Sequence, residues 1–285
     1  MIWLVGSRGM LGSEVSATLA REGASWQGTD RDVDITDPEA LSAFASGRKL
    51  DWIVNCAAYT AVDKAEDEPD AARSLNADAP GLLGRLARDA GARIIHISTD
   101  YVFDGKARRP YDEEASPAPL GVYGRTKLEG EQALRAACPR HFLIRTAWLY
   151  GKNGGNFVRT MLRVMKDQEQ VRVVADQRGT PTFAVDLAGA ISAVIRSGRD
   201  DYGVFHYTNE GETTWYDFAI AIRNEARACG VLDHDCRIEP IATDQYPTKA
   251  RRPAYSVLSR DKIKRVFGLD IPPWRDGLRR YLADS

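Results

Sequence analysis

Charge of one sign is what this 285-residue sequence most plainly lacks: 39 Lys and Arg stand against 40 Asp and Glu, a formal net charge of −1. Binding to a polyanion draws on a basic surface excess, so the chain as a whole offers no footing for nucleic acid or for an acidic membrane. It also has no uninterrupted apolar run of about 18 residues, and no membrane-spanning helix is expected. The apolar stretch from Met1 to Val5 stops at Gly6 and is followed by Arg8, so a secretory leader is not expected either. Cysteine is sparse: Cys56, Cys138, Cys229 and Cys236 show no C-x-x-C spacing, and the reducing cytoplasm is the expected compartment. Histidine is equally scarce. His96, His141, His206 and His234 lack metal-ligand spacing, so no metal site is expected, and His96 and His206 read as satisfied histidines inside apolar runs. Low-complexity tracts and repeats of solenoid period are absent.

What is present is an ordinary globular composition, 44% hydrophobic and 28% charged, in a chain long enough to bury a sizeable core. The first half alternates short β-rich runs with helical stretches. Strands are expected at 2–5, 25–28, 52–55, 94–97 and 142–144, and helices at 10–22, 38–45, 71–89 and 123–137. That alternation predicts an α/β fold, a Rossmann-type doubly wound parallel sheet whose nearly continuous apolar strands are covered on both faces. After residue 151 the rhythm changes, with helices at 157–166, 185–196 and 215–228, and strands at 171–174 and 203–207. The tail carries Pro240, Pro247, Pro253, Pro272 and Pro273 and reads as loops around short helices. The simplest division is a dinucleotide-binding domain over 1–150, to which later segments return, and a smaller C-terminal substrate-binding domain over 151–285.

The first expected strand runs into Gly6-Ser7-Arg8-Gly9-Met10-Leu11-Gly12 and then a helix. Glycines there permit a tight turn and a close approach of backbone to a pyrophosphate, which rests on the helix N-terminus. The spacing is G-x-x-G-x-x-G, with Arg8 where the commoner fingerprint has its second glycine. Asp30, about 20 residues further on, stands where a carboxylate can bind a ribose hydroxyl, while Arg31 and Arg8 can pair with a 2′-phosphate. NADPH and NADH both stay open.

Tyr123 and Lys127 are four apart at a predicted helix start, so they share a face. A phenol with an ordinary pKa near 10 becomes a useful proton carrier when an ammonium lies beside it. Ser98 and Thr99 follow an apolar run at the strand edge where open α/β sheets bind ligands, and either hydroxyl can hold a carbonyl against the phenol. Singly, Tyr-x-x-x-Lys reads as a solvated helix face. Following a glycine turn, an acidic residue after the second strand and a Ser-Thr-Asp, in that order, it points to catalysis.

These residues, with the stretches 54–66, 98–105, 145–151, 179–182 and 252–256, resemble the extended short-chain dehydrogenase/reductase family over nearly the whole chain, and within it the dTDP-4-dehydrorhamnose reductases. Cys56 stands where that family often has alanine. The resemblance implies hydride transfer from NADPH or NADH to C4 of a dTDP-sugar, dTDP-4-dehydro-β-L-rhamnose. It implies Tyr123 as general acid, Lys127 lowering the phenol's pKa and holding the nicotinamide ribose, and Thr99 orienting the ketone. Asp100, Trp148, Thr60 and Val62 are implied at the sugar, and Gly6, Gly9, Met10, Leu11, Asp30, Arg31, Asp34, Ile35, Ala57, Ala58 and Tyr59 at the dinucleotide.

Other features stay open at this level. Arg252 can grip a diphosphate or sit in a solvated loop. The acidic run Asp63, Glu66, Asp67, Glu68 and Asp70 reads as a solvated helix start. Some relatives dimerise through Mg2+ and surface carboxylates; nothing in the sequence, Glu14 included, demonstrates a metal or a homodimer. An epimerase or 4,6-dehydratase of the same family is an alternative, but Tyr101 occupies the second position of the acidic pair that dehydratases use. A non-catalytic subunit like the β subunit of methionine adenosyltransferase predicts eroded chemistry, whereas Thr99, Tyr123 and Lys127 are all present.

Overall fold

Strand β1, Ile2–Val5, is fully buried, leads straight into the glycine turn, and lies inside a six-stranded sheet. The protein is described here by a computed structural model covering residues 1–283. With β2 at Trp26–Thr29, β3 at Trp52–Asn55, β4 at Arg93–Thr99, β5 at His141–Thr146 and β6 at Gly203–His206, the order is β6-β5-β4-β3-β1-β2, all parallel. The chain steps outward from β1 to β2 and returns to the other side of β1 for β3. Winding therefore reverses between β1 and β3, and the crevice outside their carboxyl ends is where such sheets bind ligands.

Successive side chains on a strand point to opposite faces, and the core divides accordingly. Leu4, Val54 and Ile95 pack with Leu11, Leu19, Leu187 and Ile191 from the helices Met10–Arg21 and Ala184–Ser197. Trp3, Ile53 and Ile94 pack on the other face with Phe44, Leu83 and Leu134 from the helices Pro38–Ala45, Ala79–Asp89 and Val122–Ala137. Each fully buried aliphatic side chain contributes about 1.5–3 kcal/mol. The outer strand β2 is only partly buried, which fits its polar sequence Trp-Gln-Gly-Thr.

A second core gathers Tyr150, Met165, Val171, Phe183, Phe218, Ile238, Trp274 and Leu278, from the helices Phe157–Asp167, Trp215–Ala228 and Trp274–Ala283 and two small parallel sheets. Ala184–Ser197 and β6 belong by their packing to the first core. No helix among the described residues is long and apolar enough to cross a membrane.

Two sequence expectations are corrected. The tail is not only loops and short helices, because Arg237–Ile241 forms a strand beside Gln170–Val174. Pro240 is tolerated there since each strand of a two-stranded sheet has one edge that needs no N–H donor. The expected helix over 71–89 is broken into Pro69–Arg73, a π turn at Ser74–Asp78, and Ala79–Asp89. The π turn re-aims Asn76, whose Nδ2 donates to the Tyr59 carbonyl at 3.0 Å while its Oδ1 accepts the Tyr59 N–H at 2.9 Å.

Candidate active site

A cleft of about 820 Å³ opens where the winding reverses. Its floor is the glycine turn. Gly6 has φ +74°, and a β-carbon there would sit 2.8 Å from the Ala57 nitrogen, while one on Gly12 would collide with the Gly6 carbonyl. The helix that follows has no side-chain cap at Gly9 and no acidic residue in its first turn, so its free N–H groups face the cleft uncompensated. That cradle fits the diphosphate of a dinucleotide. Gly9, Met10, Leu11, Asp30, Arg31, Asp34, Ile35, Ala57 and Ala58 line the same cleft. Asp30 accepts the Arg8 and Arg31 backbone N–H groups at 3.2 and 3.0 Å, and the Arg8 guanidinium is paired with Asp32 at 3.3 Å. Asp34 is held below the usual carboxylate range by the Thr36 hydroxyl and N–H.

The catalytic candidates meet across the crevice. Thr99 ends β4 and accepts the Tyr101 N–H at 3.2 Å, capping the short turn Asp100–Val102, and its hydroxyl donates to Asp100 Oδ1 at 3.1 Å. Tyr123 opens the helix Val122–Ala137, lines the cleft with Thr99, and meets the Tyr101 ring edge to face at 5.4 Å. Burial pushes the Tyr123 phenol up to about 12, with Thr99 opposing and Asp100 adding to the rise. The expected lowering by Lys127 is not what the protein's own groups produce. Lys127, only 2% exposed, donates to the Ile97 carbonyl at 2.7 Å, and burial lowers it to about 8.

Asp100 is also 2% exposed, and burial raises it to about 6 against bonds from Ser256 and Thr99. Its Oδ2 has no partner among the described residues although it borders the cleft, which leaves a buried acceptor for a ligand's donor. Ser256 arrives from the segment 252–256. A β-carbon on Gly105 would lie 2.6 Å from the Ala254 nitrogen, so the stretches 98–105 and 252–256, far apart in sequence, are packed together.

Thr60, Val62 and Trp148 complete the wall. Trp148 is the one non-glycine residue among those described with a left-handed backbone, φ +47°, a conformation rare for a bulky side chain and costing about 1–3 kcal/mol. Its indole stacks on Trp215 at 3.5 Å and 8°. Two expected residues fall outside the lining. Tyr59 turns its hydroxyl to Glu68 at 2.7 Å. Arg252 is paired with Asp63 at 2.8 Å, 189 residues away in sequence, and that pairing occupies a member of the acidic run read as solvated.

Sequence reasoning missed the supports beneath the site. Glu131 accepts Arg145 at 2.9 and 2.6 Å and the Ser98 hydroxyl at 2.6 Å, all buried, tying the helix that carries Tyr123 and Lys127 to β4 and β5. Asn55 and His96 lie under Lys127. Glu131 one turn after Lys127 on the same face was the readable signal; nothing local marks Arg145 or Asn55.

Residues 1–285 match the family model described as RmlD substrate binding domain. The dTDP-4-dehydrorhamnose reductase of Escherichia coli K12 is 41% identical over 99% of this chain and 97% of its own. A probable dTDP-4,6-dihydroxy-2-methyloxan-3-one 4-ketoreductase of Streptomyces antibioticus is 43% identical over 100% of this chain and 95% of its own. The crystal structure of dTDP-4-dehydrorhamnose reductase from Bacillus anthracis in complex with NADP superposes with a TM-score of 0.93 at 35% identity, covering 100% of this chain and 99% of that one. By sequence and by fold, the chain belongs to the RmlD substrate binding domain family.

Proposed function

We propose that this protein is an NADPH- or NADH-dependent reductase that converts the C4 ketone of dTDP-4-dehydro-β-L-rhamnose to the alcohol of dTDP-L-rhamnose. The observation that carries the reading is the meeting of Thr99, Tyr123 and Lys127 at one cleft with the dinucleotide cradle, in a member of this family. A reduced nicotinamide, when bound, supplies the hydride. Gly6, Gly9, Met10 and Leu11 would hold its diphosphate, Asp30, Arg31, Asp34 and Ile35 would border the adenosine half, and Ala57, Ala58 and Lys127 the nicotinamide half.

Hydride arrival at a carbonyl carbon leaves negative charge on oxygen, and donors already aimed at that oxygen stabilise the transition state more than the ground state. Tyr123 keeps its proton at neutral pH and delivers it there. Thr99 orients the ketone oxygen, Asp100 takes a sugar hydroxyl on Oδ2, and Trp148, Thr60 and Val62 shape the sugar pocket. Arg252, held by Asp63 beside this wall, is the candidate for the substrate diphosphate. Tyr101 argues against elimination of water, because its partly buried ring packs on Tyr123 where a dehydratase needs a second carboxyl.

The division into a dinucleotide-binding domain over 1–150 and a substrate-binding domain over 151–285 belongs to the same proposal. So does the reducing cytoplasm, which suits four free cysteines. The proposed homodimer is tested by sedimentation, where twice the 31.5 kDa chain mass supports it and the chain mass refutes it. Among the described residues no group of three or more His, Cys, Asp or Glu is placed to hold a metal ion, and no step is assigned to one. Cofactor fluorescence tests the activity: NADPH or NADH is consumed when dTDP-4-dehydrorhamnose is added, and no consumption with either nicotinamide overturns the assignment. The Streptomyces relative supplies the competing ketone, and a higher kcat/KM for dTDP-4,6-dihydroxy-2-methyloxan-3-one would move the substrate assignment to it.

A further inference from the structure

The buried side of Lys127 meets a histidine whose neighbours decide where its proton sits. Asn55 ends β3, His96 lies within β4, and both are sealed from solvent together with Lys127. The Asn55 amide is oriented by the Ala57 backbone, whose N–H donates to Oδ1 at 3.0 Å. The amide nitrogen therefore faces His96 Nδ1, also at 3.0 Å.

A neutral imidazole has one donor and one acceptor nitrogen. If Nδ1 accepts from Asn55, the ring proton is on Nε2, and Nε2 lies 3.3 Å from Lys127 Nζ. An ammonium there sets donor against donor. A neutral amine satisfies every contact, since it donates to the Ile97 carbonyl and accepts from His96 Nε2. The opposite tautomer would aim Nδ1–H at the amide N–H, and turning the amide would set its NH2 against the Ala57 N–H. Each leaves a buried donor unsatisfied, at about 1–3 kcal/mol.

We propose that Asn55 locks His96 in its Nε2–H tautomer and that His96, as a positioning residue acting through Lys127, weakens the lysine's hold on its proton. The other groups facing Lys127 are Glu131 and Tyr123 on its own helix and Cys56 beyond β3. Glu131 favours the ammonium, but its carboxylate is already engaged by Arg145 and Ser98. His96 stays neutral, because burial, and then Lys127, hold it well below the ordinary histidine range. The consequence is a lysine that exchanges its proton near neutral pH, as a group beside a proton-donating phenol must if it is to be reloaded each turnover.

Only the kinetic arm of the test rests on the reductase reading. In protein labelled with 15N-histidine, two-bond 15N–1H correlation spectra report each tautomer, with the four histidines sorted by the signal lost in His96→Gln. His96 is expected protonated on Nε2 and bare on Nδ1 at pH 7; a proton on Nδ1 overturns the proposal. In Asn55→Asp the carboxylate accepts from Nδ1–H, so the tautomer reverses and Nε2 becomes an acceptor for the ammonium. The alkaline limb of kcat then moves up by about one pH unit, and His96→Leu moves it the same way. A limb that stays in place in both variants overturns the proposal. A wild-type protein that reduces no ketone overturns the reductase reading and leaves the tautomer result to stand by itself.

Discussion

A phenol that hands its proton to a developing alkoxide must first retain it, and burial makes Tyr123 do so. Tyr123→Phe removes the proton and little volume. Its kcat is expected to fall by about 10²–10⁴-fold, with the NADPH dissociation constant from fluorescence titration nearly unchanged. Asp100 gives a second prediction. Its folded-state pKa of about 6 lies above its ordinary 3.8, so the native state binds the extra proton between those values and loses stability as pH rises through them. Asp100→Asn is therefore expected to unfold at a higher temperature than wild type at pH 7.5, by about 2–3 kcal/mol of stability at most, with the advantage shrinking toward pH 4, and to turn over more slowly. An advantage that grew on acidification would contradict this. That Thr99, Tyr123 and Lys127 share one cleft was readable because a strand-end hydroxyl and the Tyr-x-x-x-Lys spacing are local features. Arg252 and His96 were not, because what they do is set by Asp63, Asn55 and Lys127, which are neighbours only in the fold.

At the scale of the element, the helix Val122–Ala137 has to present Tyr123 and Lys127 without drifting from β4. The Glu131–Arg145 pair and the Ser98 hydroxyl fasten it, in a place where a lone charge is costly. Glu131→Gln leaves the Arg145 guanidinium buried without its carboxylate, and a loss of about 3–5 kcal/mol in urea unfolding is expected. A loss below about 1 kcal/mol would mean the pair is incidental. Elements whose pattern is local were legible from sequence: Pro38–Ala45 and Trp215–Ala228 lie where the apolar spacing put them. The π turn at Ser74–Asp78 was not, since it arises from the approach of Asn76 to Gly130 on the facing helix, where a β-carbon would strike the Asn76 carbonyl. The strand Arg237–Ile241 was hidden by Pro240, which reads as a breaker until its edge position is known.

At the scale of the molecule, the order of the sheet places the dinucleotide cradle and the hydroxyl–phenol–lysine group on one crevice, and the second core brings the wall that closes it. Trp148 joins the two: it follows β5, lines the cleft, and packs on the second core through Trp215. Gly179 leaves room for it, because a β-carbon there would lie 2.5 Å from indole Cε2. Gly179→Ala is expected to raise the KM for the sugar nucleotide about tenfold, with NADPH binding unchanged; an unchanged KM would remove Trp148 from the sugar pocket. The central claim is that hydride passes from the nicotinamide to C4 of the sugar while Tyr123 supplies the proton. NADPH deuterated at the transferable position of the nicotinamide, incubated with dTDP-4-dehydrorhamnose and this protein, tests it by NMR of the product. Deuterium at C4 of dTDP-L-rhamnose, and none when Tyr123→Phe replaces the wild type over the same time, is the predicted result; deuterium at another carbon, or none with the wild type, would contradict it.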